Sequence, residues 1–175
     1  FINSEDADIF KKNKSSVCHC PISNSYFANA VLPVNKLKKE GLNICLGTDI
    51  SGGFSPSLYD NINHTVMVSR MLNDGVDNSL DANNRGTHDS KVSIFEAFYL
   101  ATTGGGKALK LPLGLFKEGY ICDFQVIDIN TPANKLPNYL DNEEEKHLLQ
   151  KILYLSTSEN IREVWVQGKQ ILKKD

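Results

Sequence analysis

The chain is poor in several features that would mark particular protein classes. It contains no apolar run of about 18 residues, the length a membrane-spanning helix needs, so no membrane association is expected. Its opening stretch, FINSEDADIF, is acidic and polar, which is not the basic-then-apolar order of a signal peptide. Charge of one sign is not in excess. The 19 Lys and Arg against 21 Asp and Glu leave a net charge of −2, too little for a broad electrostatic grip on nucleic acid. Cysteine is sparse. Four thiols at no regular spacing argue against a disulfide scaffold and for a reducing, cytoplasmic setting. Phosphate-cradling and dinucleotide glycine motifs are missing, as is any His-x-His pair. The H-x-E with P-C-x-x-C pattern of cytidine-type deaminases is missing too. No internal repeat or low-complexity tract is present.

What remains is an ordinary globular composition. Of 175 residues, 41% are apolar and 23% charged, which is one domain's length and enough to build a core. Periodicity predicts a short helix over 5–12 with Ser4 as its N-cap. A strand, SSVCHCP, follows and is stopped by Pro21. Alternation places Val17 and His19 on one face of it and Cys18 and Cys20 on the other. A helix over 33–40 ends at Gly41, and a second strand, NICLGTD, comes next. Ile44, Leu46 and Thr48 share its bulkier face. Asn43, Cys45, Gly47 and Asp49 share the small, polar one.

Ser55 and Pro56 read as the N-cap and first position of a helix reaching Leu72. Its mostly apolar face runs through Leu58, Ile62, Thr65, Val66, Ser69 and Leu72. A loop rich in Asn, Asp and Gly covers 73–91. Ser93 to Glu96 form a capping box; the helix it opens carries Phe95, Phe98 and Tyr99 and is closed by Gly104 to Gly106. A short helix over 107–111 follows. Beyond Gly119 the period becomes two. YICDFQVIDIN is a strand, Asp141 caps a helix burying Leu148, Leu149, Ile152 and Leu153, and REVWVQGKQIL is a hairpin turning at Gln167 and Gly168. Strands alternating with helices predict parallel βα units. In a closed barrel of such units the active site lies at the C-terminal strand ends, where Asp49 falls and His19 nearly does.

Asp49 therefore carries the functional expectation. A carboxylate at the end of a buried strand costs several kcal/mol to desolvate, on the order of magnitude seen for buried ions, unless a cation or several donors meet it. A metal ion is the first candidate, with Asp49 as ligand and as acceptor of a proton from bound water. The competing reading is an Asp that caps the Ser51-Gly52-Gly53 turn. Cys18-His19-Cys20 suggests zinc, but alternation opposes the sulfurs to the imidazole, so one tetrahedral ion does not readily take all three. Two packed thiols and a mouth-facing His19 is the simpler reading. His64, His88 and His147 read as ordinary helix or surface residues, and Trp165 as packed in the terminal hairpin.

The segments HCPISN, LGTDISGGFSPS, ATTGGGKALKL, GLFKEGYICDFQVID and KILYLSTSENIREVWVQGKQI together resemble, in order, the C-terminal portion of the guanine deaminases. These form a branch of the metal-dependent amidohydrolase superfamily. The resemblance covers nearly the whole chain, and ILYLSTSENIREVWVQGKQ is the part that narrows it to that branch.

The resemblance implies an α/β fold: the C-terminal fragment of a (β/α)8 TIM-type barrel with part of a small β-domain. SSVCHCP would be barrel strand 7 and NICLGTD strand 8. Residues 1–118 would belong to the catalytic barrel, 119–134 to a strand of the small domain, 135–159 to a helical segment and 160–175 to the terminal hairpin. It implies zinc, with Asp49 as a ligand and as the catalytic base. The remaining ligands would stand upstream of Phe1, in an N-terminal part of the same enzyme. His19 and Asn24 of HCPISN, and Thr48, Gly52 and Gly53 of LGTDISGG, would support the site or form its substrate loop. The implied reaction is hydrolytic deamination of guanine to xanthine and ammonia, in a protein that is usually a homodimer. Two alternatives stand beside it. One is a related deaminase or chlorohydrolase acting on another purine or a triazine-like ring. The other is a non-catalytic interaction fragment, motivated by the single metal ligand.

Overall fold

The structure is a computed structural model that describes residues 2–137 and 144–174. The expected cap Asp141 lies outside the described residues. The chain divides into two compact units, 1–111 and 112–175. The first unit thus ends ahead of the expected boundary at 118. The three segments expected after that boundary fall together in the second unit.

The first unit opens with helix α1, Ser4–Lys12. Its N-cap is Asn3, not Ser4. Asp6 N donates to Asn3 Oδ1 at 2.9 Å and Asn3 N donates to Asp6 Oδ2 at 3.0 Å, so two otherwise orphaned amides are satisfied reciprocally. Strand β1, Ser16–His19, leads directly into α2, Pro21–Ala28. Pro21 both stops the strand and sits at the first position of a helix, where its missing N–H costs nothing. Only the first of these roles is expected from the sequence, so α2 is an addition to the expected elements. Helix α3, Val34–Lys39, then returns the chain to strand β2, Asn43–Leu46.

β1 and β2 pair in parallel, with Ser16 opposite Asn43, Val17 opposite Ile44, Cys18 opposite Cys45 and His19 opposite Leu46. Both strands therefore end on the same side, as the alternating pattern predicts. Val17, Ile22, Val34, Leu37, Ile44 and Leu46 are buried in the core of this unit.

Helix α4 spans Leu58–Asp74 and is capped by Ser57, not Ser55. Ser55 is drawn away: its hydroxyl bonds the Asp60 carboxylate and accepts the Ser57 amide. The buried face of α4 includes Ile62, Val66 and Val68, but also Asn61, Thr65 and Ser69. The Thr65 and Ser69 hydroxyls bury because they bond the backbone within reach. Thr65 Oγ1 donates to the Asn61 carbonyl at 2.8 Å, and Ser69 Oγ accepts the Val92 amide at 2.9 Å. Leu58, expected on the core face, is exposed.

The capping box of α5, Ile94–Ala101, forms between Ser93 and Glu96 as read from the sequence. Gly104 to Gly106 do not close it. They lie inside α6, Thr103–Leu109, where a Cβ on Gly104 would stand 2.9 Å from the Ile44 carbonyl oxygen. The glycine lets the helix lie against β2.

In the second unit β3, Phe124–Ile127, β4, Ile161–Val166, and β5, Lys169–Lys173, form an antiparallel sheet in that order. Phe124 pairs with Trp165, and their rings stack at 5.4 Å. The hairpin turns at Gln167 and Gly168, both at positive φ, the geometry that matches strand twist in a two-residue turn. Helix α7, Glu145–Leu155, buries Leu153 alone of the four residues expected on its inner side. Asn160 is fully buried and holds this unit's loops. It donates to the Asp128 and Asn134 carbonyls and accepts from the Thr157 amide. Among the described residues no helix is long and apolar enough to cross a membrane.

Candidate metal-binding and catalytic site

Because β1 and β2 are parallel, the segments leaving their C-terminal ends lie side by side, and each contributes to one small constellation. From β1 the chain enters the first turn of α2, which carries Ser23. From β2 it enters a tight turn that begins at Asp49. Ser23 Oγ donates to Asp49 Oδ2 at 2.5 Å, so a hydroxyl fixes the carboxylate from the neighbouring βα junction. Asp49 adopts the left-handed conformation, with φ of +49°, which Asp tolerates better than most residues. The turn is closed by the main chain, since Gly53 N donates to the Asp49 carbonyl at 2.5 Å. The role expected of a side-chain cap is thus met by the backbone.

Gly52 and Gly53 serve here by lacking a Cβ. One built on Gly52 would lie 2.7 Å from Asp49 Oδ2, and one on Gly53 would lie 2.2 Å from the Thr48 carbonyl oxygen. Thr48, Asp49, Gly52 and Gly53 thus pack closely within one turn. Asp49 itself is exposed. Its carboxylate therefore needs no counter-ion on account of burial, contrary to expectation. What singles it out is its place at a strand end and the hydroxyl that orients it.

His19 and Asn24 meet each other. His19 is 2% exposed and shares the buried face of β1 with Val17, so it does not face the mouth. Burial, reinforced by the charge of nearby His64 on α4, lowers its pKa to about 4, while a hydrogen bond with Asn24 works in the opposite sense. The imidazole is neutral at pH 7, and its Nδ1 is buried without a hydrogen-bond partner. Asn24 therefore meets His19 in the body of the unit. His64 Nε2 lies 3.3 Å from Ser25 Oγ. His88 and His147 are exposed.

The other face of the sheet carries sulfur. Cys18 stands opposite Cys45, with Cys20 two residues further along β1's line. A Cβ on Gly47 would lie 2.5 Å from Cys18 Sγ and 3.2 Å from Cys20 Sγ, so the two thiols converge over that glycine. Hydrogen bonding from Cys45, then from Cys20, lowers the Cys18 pKa to about 6 against the opposing effects of burial and of Asp49. Cys20 is pushed up to about 12, mainly by burial, and Cys45 is raised by its bond to Cys18 and by burial.

Two features have no signal in the sequence alone. Ser23 stood inside HCPISN without a role because the helix that aims it was not seen. Cys45 was assigned to the right face of its strand, but the register that sets it against Cys18 needs the pairing.

The fit to a metal ion is partial. An exposed carboxylate held by a hydroxyl suits one position in the shell of a divalent ion. A structural or catalytic zinc takes about four ligands. Among the described residues no group of three His, Cys, Asp or Glu side chains is arranged to hold a metal. A lone carboxylate such as that of Asp49 would fill one of those positions, and the others would have to be filled from elsewhere.

Three comparisons fit this geometry. The guanine deaminase of Homo sapiens is 35% identical over 179 residues, which cover 98% of this chain and 37% of that protein. The guanine deaminase of Dictyostelium discoideum is 33% identical over 175 residues, covering 97% and 36%. The crystal structure of guanine deaminase from C. acetobutylicum, with guanine bound in its active site, aligns at a TM-score of 0.78 and 29% identity over 98% of this chain and 37% of that one. The chain spans rather more than a third of the length of these relatives. The family model described as Amidohydrolase family matches residues 1–171, and the chain belongs to that family.

Proposed function

We propose that this chain is part of a guanine deaminase, an enzyme that converts guanine and water to xanthine and ammonia, and that Asp49 serves both as metal ligand and as base. The observation that carries this reading is the placement of Asp49 at the C-terminal end of a parallel strand with Ser23 anchoring its carboxylate. That is where an α/β barrel gathers its catalytic groups. In this reading β1 and β2 are barrel strands 7 and 8, and the second unit is part of the small β-domain. Asp49 accepts the proton that the attacking water gives up. Ser23 holds Oδ2, and Gly52 leaves the space in which that carboxylate sits. A zinc ion held in part by Asp49 would lower the pKa of water toward neutrality. The other ligands would come from protein upstream of Phe1, and the assembled enzyme would be a cytoplasmic homodimer.

The test is a polypeptide that joins this chain to the remaining length of the family. It is offered guanine, adenosine derivatives and a triazine, and ammonia release is measured. Release from guanine at a rate at least tenfold above the others supports the reading. Preference for another ring moves the assignment to a related deaminase or hydrolase.

A further inference from the structure

We propose that His64 is a positioning residue for the catalytic carboxylate: from α4 it fixes the rotation of α2, and α2 carries the Ser23 hydroxyl that orients Asp49. His64 takes this role on the reading of Asp49 as metal ligand and base. The first support is a chain of hydrogen bonds. His64 Nε2 lies 3.3 Å from Ser25 Oγ, and Ser25 Oγ donates to the Pro21 carbonyl at 2.8 Å. A hydroxyl has one proton to donate, and that of Ser25 goes to Pro21. Its oxygen can therefore only accept at His64. The imidazole, half-buried and with its pKa lowered by burial, carries its proton on Nε2 and donates.

The second support is helical geometry. Ser23 and Ser25 are two residues apart on one helix, and at 3.6 residues per turn they stand about 200° apart around its axis. One reaches the turn after β2, and the other reaches α4. The helix is thus held from two sides, and turning it to free one hydroxyl displaces the other. It needs such ties. Its N-cap, Cys20, makes no side-chain capping bond, and a helix of 8 residues is too short to be stable without tertiary contacts. Both bonds join elements of the first unit and owe nothing to surface exposure.

Without the His64 donor, Ser25 Oγ loses one of its two partners and α2 is free to turn. Ser23 then holds Asp49 Oδ2 less firmly. The effect reaches the carboxylate at one remove, so it is smaller than that of removing Ser23 itself.

The test uses the polypeptide that joins this chain to the remaining length of the family. Zinc affinity is read by chelator competition, and ammonia release from guanine by steady-state kinetics. His64→Leu and Ser25→Ala should each weaken zinc binding by about three- to tenfold, the worth of one neutral hydrogen bond. The double variant should be no weaker than either single one. His64→Gln, whose side-chain amide also donates, should stay within about twofold of the parent. With guanine, kcat should fall in His64→Leu and KM should hold, because Asp49 acts on water and not on the ring. Parent-like zinc affinity in Ser25→Ala would overturn the inference. So would a His64→Gln variant as weak as His64→Leu, or a raised KM with unchanged kcat. Should His64→Leu fail to fold, Ser25→Ala against the parent decides. A parent that binds zinc but releases no ammonia from guanine overturns the deaminase reading alone, and the zinc comparison still decides the role of His64.

Discussion

Ser23 and Asp49, 26 residues apart, meet in a hydrogen bond of 2.5 Å between the first turn of α2 and the turn after β2. The bond ties two successive βα junctions together at the end where a parallel sheet presents its chemistry. It leaves the carboxylate exposed yet oriented, which is what a ligand for a divalent ion requires. Groups that orient a ligand in this way are worth about 10–100-fold in metal affinity or activity.

Ser23→Ala in the assembled polypeptide is therefore expected to weaken zinc affinity or ammonia release from guanine by about 10–100-fold. Ser23→Thr, which keeps the hydroxyl, is expected to retain most of it. Competition against a chelator of known affinity reads the metal term directly. Equal affinity in Ser23→Ala and the parent would show that the hydroxyl does not position Asp49.

Gly52→Ala places a methyl group 2.7 Å from Asp49 Oδ2. The turn lies at the surface, so global stability should change by less than about 1 kcal/mol. The carboxylate must move, so activity should fall at least tenfold. Denaturant unfolding alongside steady-state kinetics separates the two. A large loss of stability with unchanged activity would contradict this account of the glycine.

His19 gives the first unit a pH dependence with a definite sign. Its folded pKa, about 4, lies below the unfolded value near 6.5. The folded state therefore binds fewer protons in this range, and stability rises with pH. The contribution is fully present above about pH 6.5 and is lost as pH falls toward 4. Its size is on the order of 3 kcal/mol, from about 1.36 kcal/mol per unit. His64, also lowered by burial, adds to the same trend. Unfolding measured from pH 7 to pH 4 should be less pH-dependent in His19→Gln than in the parent. Identical pH profiles would mean that His19 is not held neutral by burial.

Local signals in the sequence were legible where local chemistry decided the outcome. The Ser93–Glu96 capping box, the Gln167-Gly168 hairpin and the alternation of β1 and β2 each rest on neighbours a few residues apart, and each appears in the structure. Pro21 was ambiguous, because the same ring both ends a strand and begins a helix, and α2 was lost with it. The cap of α4 moved from Ser55 to Ser57 because Asp60 recruits the Ser55 hydroxyl, a tertiary choice that spacing does not encode. Gly104 to Gly106 looked like a stop and turned out to be the close-packed start of α6. Asp49 was found from its motif, but for a reason that its exposure removes. The pairing of Cys18 with Cys45 depends on register and was not visible until the strands were aligned.

The most direct measurement of the central claim is the effect of Asp49→Ala on the polypeptide that unites this chain with the rest of the family's length. Zinc content and ammonia release from guanine are to be read on the same preparation, with folding checked by circular dichroism. The account predicts an intact fold, zinc content reduced well below one equivalent and turnover lowered by at least a thousandfold. Near-normal turnover with zinc fully bound would contradict it.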